Sequence, residues 1–134
     1  MTNKLMNTTN SSRVMHMAHK LLESFPDLSW SEILKLAWQF FYLRRMLQSG
    51  IVKFAYLKIS SGVVLGEIRH ARGTLHPELI PEEHQPKNSP NYEPNYSTIS
   101  YYDLDKQGWR SFRLDCLRDI EGYITLNAVS LDED

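Results

Sequence analysis

The sequence holds a single cysteine, Cys116, so it can form neither an internal disulfide nor a cysteine-based zinc site, which fits a reducing compartment. Such a lone thiol is expected to behave as a small buried hydrophobe. Long hydrophobic runs are also missing. The longest uncharged apolar stretch, residues 36–43, is interrupted by Gln39 and falls far short of the roughly 20 residues that a bilayer span needs. Residues 1–12 are rich in Asn, Thr and Ser with no apolar segment before a small-residue cleavage site, so no secretory signal is read there and the expected location is the cytoplasm. Charge of one sign is not in excess. Fifteen basic residues face sixteen acidic ones, a net charge of −1, which gives no overall pull toward nucleic acid or an anionic membrane. A glycine-rich phosphate loop is absent too, because Gly62, Gly66 and Gly73 are not followed by the helix start that cradles phosphate.

What is present is an ordinary globular composition, 42% apolar and 23% charged over 134 residues. A chain of this size can bury about two-thirds of its unfolded surface, enough for one core without a staple. The charge is unevenly spread. Residues 1–50 carry six basic and three acidic residues, whereas 51–134 carry nine basic and thirteen acidic. The acids gather in a proline-rich stretch and at the end of the sequence, leaving Arg69, Arg72, Arg110, Arg113 and Arg118 in or beside predicted strands.

Periodicity divides the chain. After a predicted flexible tail over residues 1–12, Val14, Met17, Ala18, Leu21, Leu22 and Phe25 form one helical stripe that Pro26 stops. Ser29-Trp30-Ser31-Glu32 is a capping box that starts a second helix, and Trp30, Ile33, Leu34, Ala37, Trp38 and Phe41 give it a wide apolar face that Gly50 is expected to end. Residues 13–50 therefore read as a helical hairpin. Beyond Gly50 the period drops to two, with Val52, Phe54 and Tyr56 on one side of a strand over 51–59. A return strand over 63–72 carries Gly66 as a candidate bulge. Five of the six prolines then fall between His76 and Tyr96, a density that forbids a long helix or a central strand, so 76–97 is expected to be a long loop. Strands are predicted over 98–103, 109–114 and 123–129, with a 3₁₀ turn over 115–119 and an acidic tail over 131–134. The expected fold class is α+β, a helical hairpin followed by a small five-stranded antiparallel SH3-like barrel over 51–130.

Val52-Lys53-Phe54 with Tyr56, Arg69-His70-Ala71-Arg72-Gly73-Thr74-Leu75 with Leu79-Ile80-Pro81, Tyr101-Tyr102-Asp103, and Trp109-Arg110-Ser111-Phe112 ending in Leu117 resemble the small WYL-like, Sm-like SH3 β-barrel proteins. These are common in Bacteroides-type bacteria, their phages and mobile elements. The resemblance covers residues 51–120 and implies a non-catalytic binding module. WYL-type domains of bacterial regulators are thought to sense nucleotide or nucleic-acid ligands, so the resemblance implies a ligand of that class. The helix-turn-helix reader that accompanies those domains is missing, since the second helix is dominated by Trp38, Phe40, Phe41 and Tyr42. Sequence-specific transcription control is therefore not expected.

Candidate chemistry follows residue by residue. His16 and His19 share a helix face, but no acid or cysteine at matching spacing completes a metal site, and solvated histidines explain them. Cys116 lies beside Asp115 and Asp119, which raise a thiol's pKa and blunt it as a nucleophile. Asp103 and Asp105 flank a turn, which accounts for them without acid–base roles. No enzyme activity, cofactor or metal is expected. The arginines point elsewhere: Arg69 with Arg72, and Arg110 with Arg113, are three apart in their strands, so each strand turns one guanidinium to a common face. Such forks, with Tyr101 as a stacking platform, suit phosphate and base recognition. The competing reading is cross-strand pairing with Glu67, Asp103, Asp115 and Asp119. A second class of function is a protein-interaction module, for example a phage factor that inhibits a host or defence protein, using Trp38, Phe41 and the loop tyrosines Tyr92 and Tyr96 as partner-binding residues, with homo-oligomerisation through the hairpin as a variant.

Overall fold

The computed structural model describes residues 8–60, 63–86 and 95–126. Helix α1 (Thr8–Ser24) begins inside the stretch expected to be a tail, and α2 (Trp30–Ser49) starts at the predicted box. There the Glu32 amide donates to the Ser29 hydroxyl at 3.1 Å, and the Ser29 amide donates to the Glu32 carboxylate at 2.9 Å. These bonds hold the Glu32 carboxyl below its ordinary pKa. Gly50 follows the helix, as expected, but for a different reason. Its φ of 175° is ordinary extended backbone, and glycine is required because a Cβ there would overlap the Ile124 carbonyl oxygen of the neighbouring strand.

Five antiparallel strands follow: β1 (Gly50–Ser60), β2 (Val63–Thr74), β3 (Thr98–Asp103), β4 (Gly108–Arg113) and β5 (Leu117–Thr125). Gly66 sits at φ +79°, within the β1–β2 register shift, which agrees with a bulge at this position. The last strand starts six residues earlier than predicted, because the 3₁₀ turn occupies only Leu114–Cys116. β5 is largely exposed, so its side chains carry little of the alternation that betrays a strand in sequence.

The strand order is β4-β3-β2-β1-β5. Among the described residues β4 and β5 do not pair, so the expected barrel is not closed. The sheet nevertheless rolls back on itself: Phe112 of β4 stacks on Tyr56 of β1, centroids 4.5 Å apart, although two strands lie between them in the order. The sheet is held least extensively where β2 meets β3. Only Gly73 with Asp103 and Thr74 with Tyr102 are paired there, so the β3–β4 hairpin splays away from the rest of β2.

Val52, Phe54, Tyr56, Ile99, Tyr101, Phe112 and Leu114 fill the inside of the roll and share one core with Ile33, Ala37, Phe40, Phe41, Leu43 and Leu47 of α2. Gly73 faces the Tyr101 ring so closely that an added Cβ would lie 2.5 Å from it. The buried Thr74 hydroxyl donates to the Gly50 carbonyl at 2.6 Å and accepts from the His76 amide at 3.0 Å, while the Leu75 amide donates to the Leu47 carbonyl at 2.8 Å. The Gly-Thr-Leu block thus joins β2 to the end of α2. The proline-rich region opens with 3₁₀ turns at Pro77–Leu79 and Glu82–His84, and the Trp109 indole donates to the His84 carbonyl at 2.7 Å.

Candidate functional site

The splayed β2–β3 junction leaves a cleft of ≈ 580 Å³ between the far end of the β1–β2 hairpin and β4. Its floor is Tyr56 and Phe112; its rim carries Lys58, Arg69, Arg110 and Arg113 with the hydroxyls of Thr98 and Ser111. No carboxylate lines it.

Strand register explains who arrives there. Arg69 stands opposite Tyr56, and Arg110 opposite Tyr101, so both project on the side that holds the aromatic core, as period two requires. Arg113 belongs to the other face by parity, but it lies at the end of β4 where the chain enters the 3₁₀ turn, and it still reaches the rim. Arg72 does not. It stands opposite Lys53 on the outer face and pairs with Asp105 at 3.1 Å.

The cations differ in how far they are already neutralised. Arg113 makes two hydrogen bonds to Asp115, at 2.7 and 2.9 Å, and these push its pKa up. Arg110 lies 3.3 Å from the buried Asp103 carboxylate, whose other oxygen accepts from the Asp105 and Lys106 amides. Lys58 pairs with Glu67 at 3.2 Å. Arg69, half-buried, has no carboxylate within ion-pair distance among the described residues. Cross-strand pairing therefore accounts for Lys58 and Arg110, a local pair with the 3₁₀ turn accounts for Arg113, and one of the four rim cations, Arg69, is left.

Tyr101 is not a stacking platform. It is fully buried, its ring packs edge-on against Phe54 at 4.9 Å, and its hydroxyl shares a 2.7 Å hydrogen bond with Tyr56. Burial, followed by that hydrogen bond, pushes the phenol well above its ordinary pKa. The same parity that sets Arg110 beside Tyr101 sends the ring into the roll. The partner-binding set changes as well. Phe41 belongs to the core; Trp38 is half-buried and stacks on Tyr42; Tyr96 packs edge-on against Phe40. Tyr92 lies outside the described residues. Lys58 was missed by sequence reasoning, although continuing the Val52, Phe54, Tyr56 alternation by one step reaches it.

Cys116 is buried, and burial, then Asp115, raises its pKa, as its acidic neighbours suggested. Among the described residues no group of His, Cys, Asp and Glu is placed to hold a metal ion, and no helix is long and apolar enough to cross a membrane.

A sequence model described as WYL_2, Sm-like SH3 beta-barrel fold matches residues 42–118, from the last turns of α2 through the whole of β4. The chain belongs to the WYL_2 family. The matched span contains every residue of the cleft, and its Gly73-Thr74-Leu75 block is the one that joins sheet to helix. No curated protein and no solved structure matches the chain with significance. The Sm-like SH3 fold of the family suggests a binding module; in this chain two helices precede the five-stranded antiparallel sheet.

Proposed function

We propose that this WYL_2 protein is a non-catalytic module that binds single-stranded nucleic acid, or a nucleotide, by its phosphates at the cleft bounded by Lys58, Arg69, Arg110 and Arg113. The observation that carries the reading is Arg69: a half-buried residue with no carboxylate within ion-pair distance among the described residues, facing a cleft that Lys58, Arg110, Arg113, Thr98 and Ser111 line together with Leu57 and Ile59, and no carboxylate. Guanidinium forks match phosphate oxygens in pairs. With Tyr101 withdrawn into the core, no exposed aromatic platform lines the cleft, so contacts to phosphate rather than to stacked bases would dominate and sequence preference would be weak. Capture of a partner protein by the helical aromatics is the weaker reading, because Phe41 is already enclosed.

The test is fluorescence anisotropy of the full chain with a labelled oligonucleotide of about ten nucleotides, repeated across a salt series. Arg69→Gln combined with Arg110→Gln is expected to weaken binding at least about tenfold and to flatten the salt slope by about 0.7 for each phosphate that is no longer neutralised. Arg72→Gln, on the opposite face, is expected to leave both unchanged. Equal losses in the two variants would sink the cleft as the binding site, and unlabelled nucleoside triphosphate as competitor separates a nucleotide from a strand.

A further inference from the structure

A second cationic pocket lies away from the sheet cleft, on the helical hairpin. Arg13 and Met17 of α1, Phe40, Phe41, Arg44, Arg45, Gln48 and Ser49 of α2, and Tyr96 enclose ≈ 540 Å³, within the size range of small-molecule sites. Nothing in the sequence pattern alone marks it, because its residues come from both helices and from the far end of the proline-rich loop.

The guanidiniums are arranged rather than merely near. On α2 the spacing i, i+4 sets Arg44 over the Phe40 ring, 5.9 Å from its centroid, and Arg45 over the Phe41 ring, at 5.3 Å. Both rings belong to the core, so the two cations rest on fixed surfaces and lose less freedom when a ligand arrives. Arg13 approaches from the opposing helix. None of the three has a carboxylate within ion-pair distance among the described residues, and none lines the pocket. On the sheet, by contrast, Arg72, Arg110 and Arg113 each have one. Three like charges facing one small space repel each other, and a compact anion of several charges relieves that repulsion most effectively. A single phosphodiester brings one charge; linked phosphates bring several within one pocket. Gln48 supplies a neutral donor beside them.

We propose that the Arg13–Arg44–Arg45 pocket binds a linked di- or triphosphate group, carried on a free nucleotide or on the 5′ end of an RNA. The site shares no residue with the sheet cleft, so it stands or falls separately from the function proposed above.

Isothermal titration of the full chain with inorganic tripolyphosphate tests it, in parallel with Arg13→Gln/Arg44→Gln and Arg69→Gln/Arg110→Gln variants. Loss of at least about tenfold in affinity in the helical variant, with one saturable site retained in the sheet variant, is the expected result. Wild-type affinity in the helical variant, abolition in the sheet variant, or equal binding of sulfate at matched ionic strength would each overturn the proposal. Arg13 stacks on no core ring, so Arg13→Gln alone gives the same comparison, with a smaller expected loss of about threefold to tenfold, if the double variant melts early. Tighter binding of a 5′-triphosphate RNA than of its 5′-hydroxyl counterpart assigns the RNA end as the source; equal binding of the two, with nucleoside triphosphate as tight as tripolyphosphate, assigns the free nucleotide.

Discussion

Asp103→Asn separates what holds the cleft together from what makes it attractive to phosphate. Asp103 is 3% exposed. One of its oxygens accepts from the Asp105 and Lys106 amides at 2.9 and 3.0 Å, and the other lies 3.3 Å from Arg110 Nε. An asparagine keeps an acceptor for the two amides but sets a neutral NH₂ against the guanidinium. The loss is therefore the charged half of the arrangement. Removing the charge from one side of an ion pair costs about 3–5 kcal/mol where both partners are buried, but the Arg110 side chain is 34% exposed and water takes over part of the role. A net cost of about 1–2 kcal/mol follows, which for a chain of this length lowers Tm by roughly 3–10 °C in a thermal melt followed by circular dichroism. The same substitution frees a rim cation. Oligonucleotide affinity at low salt should rise, and the slope of log K against log salt should steepen by up to about 0.7, one additional phosphate neutralised. A variant that loses stability with an unchanged or shallower slope would show that Arg110 does not face bound phosphate.

Gly73→Ala drives a methyl group toward the enclosed Tyr101 ring; overpacking of about 1–3 kcal/mol should outweigh the gain of about 0.4–1 kcal/mol from a stiffer unfolded chain, whereas Gly108→Ala, with open space around it, should be neutral in the same melt. Tyr101→Phe leaves the buried Tyr56 hydroxyl without its partner and should cost about 1–3 kcal/mol by urea unfolding; no loss would indicate that water replaces the lost hydroxyl. Cys116 should resist iodoacetamide at pH 8 in the native chain and react after denaturation, because burial and Asp115 raise its pKa; mass spectrometry counts the adduct. The Glu32 carboxyl has a lowered folded pKa, so its contribution is complete above its unfolded value of 4.5 and is lost as pH falls through the folded one; Glu32→Gln should flatten the acid limb of the stability profile below about pH 5.

The hairpin was legible because its signals are local: a capping box, a proline stop and an apolar stripe act within a few residues. The grouping of Val52, Phe54 and Tyr56 on one side of β1, and a face shared by one arginine of each strand, were legible for the same reason, since alternation needs only a strand; that the pair is Arg69 and Arg110 depends on strand register. The depth of Tyr101 was not. Parity says which side a ring takes, but whether that side is covered depends on how far the sheet rolls, and this is set by the stacking of Phe112 on Tyr56, two residues far apart in sequence. The open barrel was not legible either, because closure depends on whether the edge strands β4 and β5 meet, which no local pattern records. The Arg13–Arg44–Arg45 pocket needed the packing of two helices and the placement of Tyr96, none of which is a periodic signal.

The Thr74 hydroxyl and the Leu75 amide both reach the Leu47 carbonyl where α2 ends, at 3.3 and 2.8 Å, and this tie predicts that the hairpin and the sheet open as one cooperative unit. Their amides should exchange with deuterium in a single slow class, at the rate of global opening, and unfolding should show one transition rather than two. A helical hairpin that docked loosely could open while the sheet stayed intact; this one cannot leave without stripping the Leu75 amide of the Leu47 carbonyl and exposing the core beneath Phe40 and Phe41.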